Sequence, residues 1–161
     1  SGFGLEIIKQ AMAGMIKELA PNPYETDLQR VVDFGHTFSP VPEMKSLVDS
    51  SVASLAHGQA VALDCLLTCA ISHKRNLFKL DELVEVVNLM DNSGLASRHP
   101  YFNDVFMLWE SLNDAVRHRD GSQNIPLPTT IGDSFFCNDL SIEELTAAVE
   151  FLDCWLRESG R

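Results

Sequence analysis

The chain has 161 residues, 45% apolar and 22% charged, a balance that suits one globular domain with a real hydrophobic core. Its formal net charge of −11 argues against non-specific binding to nucleic acid or an anionic membrane. No run of about 18 apolar residues exists, and Ser1-Gly2-Phe3-Gly4 opens no secretory pattern, so neither a transmembrane span nor a leader is expected. Cys65, Cys69, Cys137 and Cys154 form no CxxC, and core positions in a reducing cytoplasm are the reading.

Gly4 to Ala20 carries Leu5, Ile8, Met12, Met15, Ile16 and Leu19 at helical steps, and Pro21 and Pro23 end that helix. Glu6 on it reads as a solvated carboxylate. Thr26 to Val32 reads as a short helix or turn, with Arg30 either a phosphate-binding fork or a surface residue. Pro40 and Pro42 restrict the backbone before a segment from Glu43 to Val48, and Asp49-Ser50-Ser51 is a loop. Leu55 to Lys74 is a long helix, apolar all round and therefore central. Asp64 within it is expected to face solvent, with support of a ligand as the alternative.

Leu80 to Met90 is an amphipathic helix ending near Asn92-Ser93-Gly94, and His99 lies in a loop before Pro100. Asn103 to Val116 is another, with Val105, Phe106, Leu108, Trp109, Leu112 and Val116 as its apolar face. It delivers Arg117-His118-Arg119, three adjacent donors in an acidic chain: a phosphate or polyol site, or a solvated cationic helix end. Gln123 to Phe136, interrupted by Pro126 and Pro128, reads as a short edge hairpin. Ser141-Ile142-Glu143-Glu144 is a capping box opening the last helix, which runs to about Glu158.

Two histidines stand out. His36 and His57, 21 positions apart, each adjoin a glycine and an apolar run. Neutral imidazole is a common ligand for zinc-like metals, but a catalytic zinc wants three protein ligands, so two make an incomplete site.

The wording around these histidines resembles the dehydroquinate synthase superfamily of sugar phosphate cyclases. Phe34-Gly35-His36-Thr37-Phe38 and the later His57-Gly58-Gln59-Ala60-Val61 carry the resemblance. Asp33 at the head of the first motif and Ser39-Pro40 at its end are similar to the sedoheptulose 7-phosphate cyclase branch; dehydroquinate synthases proper carry Asn and a second His there. Arg117-His118-Arg119-Asp120-Gly121 and Pro126-Leu127-Pro128 follow in the same order. The resemblance runs from about Ala11 to Asp139 and covers only the C-terminal part of the family's chain.

The resemblance implies a mainly α fold: a dehydroquinate-synthase-like C-terminal helical domain with a short edge β-hairpin. Residues 1–161 are then one metal- and substrate-binding domain, with the N-terminal NAD-binding domain absent from this chain. By the same resemblance His36 and His57 are metal ligands for zinc or cobalt, and Arg30, Arg119, Asp33 and His118 hold the sugar phosphate. Asp33 and His118 are also the catalytic candidates, as hydroxyl acceptor and proton shuttle. The chemistry implied is NAD-dependent oxidation, phosphate elimination, reduction and intramolecular aldol closure.

The Asp33 and His118 pairing is similar to 2-epi-5-epi-valiolone synthases. Desmethyl-4-deoxygadusol synthases and dehydroquinate synthases are the alternatives within the family. The implied partners are a sugar phosphate and the NAD-binding domain, with a homodimer left open and neither nucleic acid nor membrane. Gln59 departs from the family's Glu, so a hydrogen bond is kept where a charge is lost. No dinucleotide-binding GxGxxG is present, so the chain alone is expected to be inactive. The rival reading is a non-catalytic helical module.

Overall fold

The computed structural model describes residues 2–161, with side-chain surroundings from residue 4 onward. In chain order its elements are α1 (Gly2–Leu19), a 3-10 turn at Val31–Asp33, α2 (Pro40–Ser46), α3 (His57–Lys74) and α4 (Leu80–Asn92). A second 3-10 turn at Pro100–Phe102 precedes α5 (Val105–His118), β1 (Ile125–Thr130), β2 (Asp133–Cys137) and α6 (Ile142–Glu158). The mainly helical architecture with one hairpin is the one the sequence implied.

Helix α3 is the axle. Leu63, Leu67 and Ile71, four residues apart, face one cluster shared with Leu108 and Leu112 of α5, Ile125 and Leu127 of β1, and Leu145 of α6. Leu66 and Cys69 point the other way, into a cluster with Phe78, Leu83 and Val87. Two cores on opposite sides explain why this helix has no polar face. Truncating either set, as in Leu67→Ala, removes contacts that are fully buried and costs about 2–5 kcal/mol.

The hairpin is antiparallel, with Ile125 opposite Cys137 and Leu127 opposite Phe135, and a bulge between Pro128 and Thr130. Residues 125–128 are all buried against α3, while the two prolines withhold N–H groups from the ladder. The Ser72 hydroxyl of α3 bonds the carbonyl of Pro128. Helix α6 opens on the predicted reciprocal cap: the Glu144 N–H donates to Ser141 Oγ at 3.2 Å, and the Ser141 N–H donates to Glu144 Oε2 at 3.1 Å.

Two expectations shift, and one apolar face lies uncovered. Residues 26–30 form no helix, and the Asn22 side chain, bonded to both the N–H and the carbonyl of Asp27, holds that segment in its place. Phe106 is 80% exposed, since the α5 face that packs is Val105, Leu108, Trp109, Leu112 and Val116, a turn of the helix away. The apolar stripe of α1 also stays outside: Leu5, Ile8, Met12, Met15 and Ile16 are 49–63% exposed, and the helix rests chiefly on the Val31–Asp33 turn.

Candidate metal and substrate site

The loop bearing His36 is clamped onto α3 from three directions. Gly35 has φ +83°, and a Cβ there would lie 2.7 Å from Cys65 Sγ and 2.8 Å from Val61 Cγ1. Only glycine permits that approach. The N–H groups of Phe38 and Ser39 both donate to Asp64 Oδ2, at 2.6 and 2.8 Å, and Thr68 Oγ1 donates to Asp64 Oδ1 at 3.1 Å. Ser39 Oγ closes the turn by donating to the Gly35 carbonyl at 2.7 Å, and Phe38 is wholly buried beneath it.

Asp64 therefore does not face solvent as expected from the sequence. It is fully buried, and burial pushes its carboxyl above the ordinary value while the hydrogen bonds from Phe38, Ser39 and Thr68 pull the other way. A lone carboxylate inside an otherwise apolar helix has to find donors, and the motif loop supplies them.

His57 is the first residue of α3, so its ring is carried by a helix end whose interior is rigid. Glu43, one turn into α2, meets His57 Nδ1 with its Oε2 at 2.9 Å. His36 Nδ1 lies 3.2 Å from the Phe34 carbonyl. Both Nδ1 atoms face an oxygen acceptor, which places the proton there and leaves Nε2 as the nitrogen with a free lone pair on each ring. The ring centroids are 5.5 Å apart and tilted by 51°. A centroid sits about 3.2 Å from a zinc bound by its own nitrogen, so two rings on one tetrahedral ion stand about 5.2 Å apart. The observed pair fits a shared divalent metal.

Gln59 plays another part. Its Oε1 accepts the Ala56 N–H at 3.0 Å and caps α3, so the support of His57 comes from Glu43. Among the described residues no group of three or more His, Cys, Asp or Glu side chains is placed to hold a metal. His36 and His57 both face outward, the latter with 65% of its side chain exposed.

Beside His36 opens a cleft of about 680 Å³ whose walls include Arg30, Asp33, His118 and Arg119. All five sequence-derived residues of this group thus meet in one place. Asp33, 8% exposed, is their hub: Arg30 Nη2 bonds its Oδ1 at 2.7 Å, and Arg30 Nε and Arg119 Nη2 reach its Oδ2, each at 3.3 Å. Arg30 also pairs with Glu25 at 2.6 Å. Arg119 is 7% exposed and donates to the Gln123 carbonyl at 2.8 Å and to Thr37 Oγ1 at 3.4 Å.

Burial draws the Arg119 guanidinium below its ordinary value, and Asp33 and then Asp64 oppose this. It remains a cation, because guanidinium does not deprotonate in proteins. One carboxylate thus holds two guanidiniums together at the wall of the cleft. His118, at the exposed C-terminal end of α5, stands at its mouth. Arg117 does not join: it turns to Asp114 at 2.8 Å on the surface.

Sequence reading missed Glu43 and Asp64. For Asp64 the signal was its isolation in an apolar run; for Glu43 it was a carboxylate seven residues past His36, without any indication of which ring it would meet.

A family model described as 3-dehydroquinate synthase C-terminal matches residues 4–118. A 2-epi-5-epi-valiolone synthase of Streptomyces hygroscopicus subsp. jinggangensis is 41% identical over 148 residues, 92% of this chain and 34% of the relative. The enzyme of the same name from Streptomyces albus is 43% identical over 143 residues, 89% of this chain and 33% of the relative. The chain thus spans about a third of the length of these curated relatives. A solved 2-epi-5-epi-valiolone synthase from the first organism, with NAD+ and Zn2+ bound, superposes with TM-score 0.87 at 40% identity. The match covers 96% of this chain and 41% of the other. No helix among the described residues is long and apolar enough to cross a membrane.

Proposed function

The chain belongs to the 3-dehydroquinate synthase C-terminal family, and from that membership we propose that it is the metal- and substrate-binding part of a sugar phosphate cyclase. The reaction proposed is conversion of sedoheptulose 7-phosphate to 2-epi-5-epi-valiolone. The observation that carries it is the adjacent pair of imidazoles, both held through Nδ1, one of which, His36, also lines the cleft that gathers Arg30, Asp33, His118 and Arg119.

In this reading His36 and His57 hold a zinc or cobalt ion through Nε2, and a third ligand comes from outside the described residues. When bound, the metal polarises a substrate oxygen, and NAD, carried by a partner domain, takes and returns a hydride. Arg30 and Arg119 bind the phosphate or a substrate oxyanion, each as a planar fork. Asp33 keeps the two cations side by side and has lone-pair capacity left for one substrate hydroxyl. His118, exposed at the cleft mouth, accepts and returns a proton at a substrate hydroxyl or at C–H acidified by the ketone.

The 2-epi-5-epi-valiolone branch is favoured over dehydroquinate formation by Asp33 and Pro40, which stand where the latter enzymes carry Asn and His. His118 with Asp33 favours it over demethyl-4-deoxygadusol formation. A cytoplasmic location and an NAD-binding partner domain go with this reading, and the uncovered stripe of α1 is compatible with a homodimer.

The test uses the enzyme with its NAD-binding part. It should retain zinc or cobalt and turn sedoheptulose 7-phosphate into 2-epi-5-epi-valiolone, identified by mass spectrometry and NMR. His36→Ala should lose the product and bind the metal much more weakly. A well-folded enzyme that binds no metal specifically would make the chain a non-catalytic module, and a different carbocycle would move it to another branch.

A further inference from the structure

Ten residues, 47–56, join α2 to α3 and deliver His57, and a loop that long has no intrinsic reason to stop in one place. It is gripped at three points. The Tyr101 hydroxyl donates to Asp49 Oδ2. His99 Nε2 lies 2.9 Å from the Ala53 carbonyl, and the Tyr101 N–H donates to His99 Nδ1 at 3.3 Å, so both ring nitrogens are engaged. Ser46 Oγ accepts the Leu55 N–H at 2.9 Å while donating to the Glu43 carbonyl at 2.7 Å.

The two gripping segments are themselves fixed. His99, Tyr101 and Phe102 are 7–8% exposed, and Phe102 belongs to the main core against α3; Ser46 is 3% exposed at the end of α2. The Ser46 hydroxyl therefore ties the turn that carries Glu43 to the strand of backbone ending two residues before His57. His99 ties the backbone four residues before it to the core. Neither touches the metal position.

We propose that His99 and Ser46 are positioning residues for the metal site: together they set where the loop ends, and so the angle at which His57 meets Glu43 and the ion. The inference rests on His57 being a ligand. Partners one layer behind a ligand are typically worth 10- to 100-fold in metal affinity, and residues acting through them belong at the low end.

The test is zinc affinity by chelator competition in the enzyme with its NAD-binding part, below the unfolding transition of every variant. His99→Ala and Ser46→Ala should each raise the zinc Kd by about tenfold. His99→Gln, which restores an N–H at a similar reach, should bring it back to within about threefold. In a His57→Ala background, His99→Ala should change the zinc Kd no further. That null is what a general stabilising role would not produce.

An unchanged zinc Kd in His99→Ala and Ser46→Ala, with only the melting temperature lowered, overturns the proposal. Additive losses on top of His57→Ala overturn it as well. Should His99→Ala fail to fold, Ser46→Ala alone and on His57→Ala decides by the same criteria. If His57→Ala itself leaves the zinc Kd unchanged, the ligand assignment falls and this inference with it.

Discussion

Replacing Gly35 with alanine tests how the first motif is seated, because two costs can be read from its surroundings. The φ of +83° lies in the left-handed region, which costs an L-residue about 1–2 kcal/mol. The new Cβ would sit 2.7 Å from Cys65 Sγ and 2.8 Å from Val61 Cγ1, with the Val61 carbonyl at 3.0 Å. Overpacking of that kind costs about 1–3 kcal/mol. The sum is about 2–5 kcal/mol, which in a chain of this size lowers the melting temperature by roughly 10 °C.

Urea unfolding of Gly35→Ala, read as a change in midpoint at constant m-value, measures it. Adding Cys65→Ala should recover about 1 kcal/mol and no more, because it removes the Sγ contact and leaves the backbone strain and the Val61 contact. A loss below about 0.5 kcal/mol in the single variant would refute the claim that this glycine is what lets the His36 loop lie on α3.

Asp64→Ala strips the acceptor from the Phe38 and Ser39 N–H groups and should cost about 2–5 kcal/mol by chemical denaturation. Asp64→Asn keeps one oxygen for both N–H groups and offers an amide to Thr68, so it should fold. Because burial raises the Asp64 carboxyl, its contribution to stability is fully present below the unfolded carboxylate range and is lost as pH rises through the higher folded value. Stability of the Asn variant measured from about pH 4 to about pH 8 should thus fall less than that of the parent, and equal slopes would contradict the assignment. Glu43→Gln should weaken zinc binding about 10- to 100-fold, by chelator competition, with a melting temperature close to the parent's. The 161 residues alone, supplied with NAD and metal, should not turn over sedoheptulose 7-phosphate; product from that mixture would defeat the half-site reading.

What could be read from the sequence was set by how local the cause is. The helix around Leu63, Leu66 and Leu67 and the Ser141–Glu144 cap are written in neighbouring residues, and both stand where expected. Phe106 falls outside the packed face of α5, and the α1 stripe lies uncovered, for one reason: periodicity says that a face is apolar, but what lies opposite it is decided by the fold. The five cleft residues were legible through motif resemblance. That they converge was not, because Arg119 and Thr37 are 82 positions apart and only the packing of α5 on the motif loop brings them together.

The supports were the least legible part, and physics gives the reason. A ligand must present its nitrogen to an ion, so its residue type is nearly dictated, and histidine beside glycine can be recognised. What holds the rings needs only a donor or acceptor at the right point, which the Phe34 carbonyl provides from two residues away and Glu43, Ser46 or the buried Asp64 from further along the chain. The molecule is accordingly most tightly determined one layer behind the surface on which chemistry would occur. The ligand rings are exposed while Phe38, Ser39, Ser46 and Asp64 are almost wholly buried. A change in that layer therefore costs stability, as at Asp64, and where the fold survives it should also displace the rings that the layer holds in place.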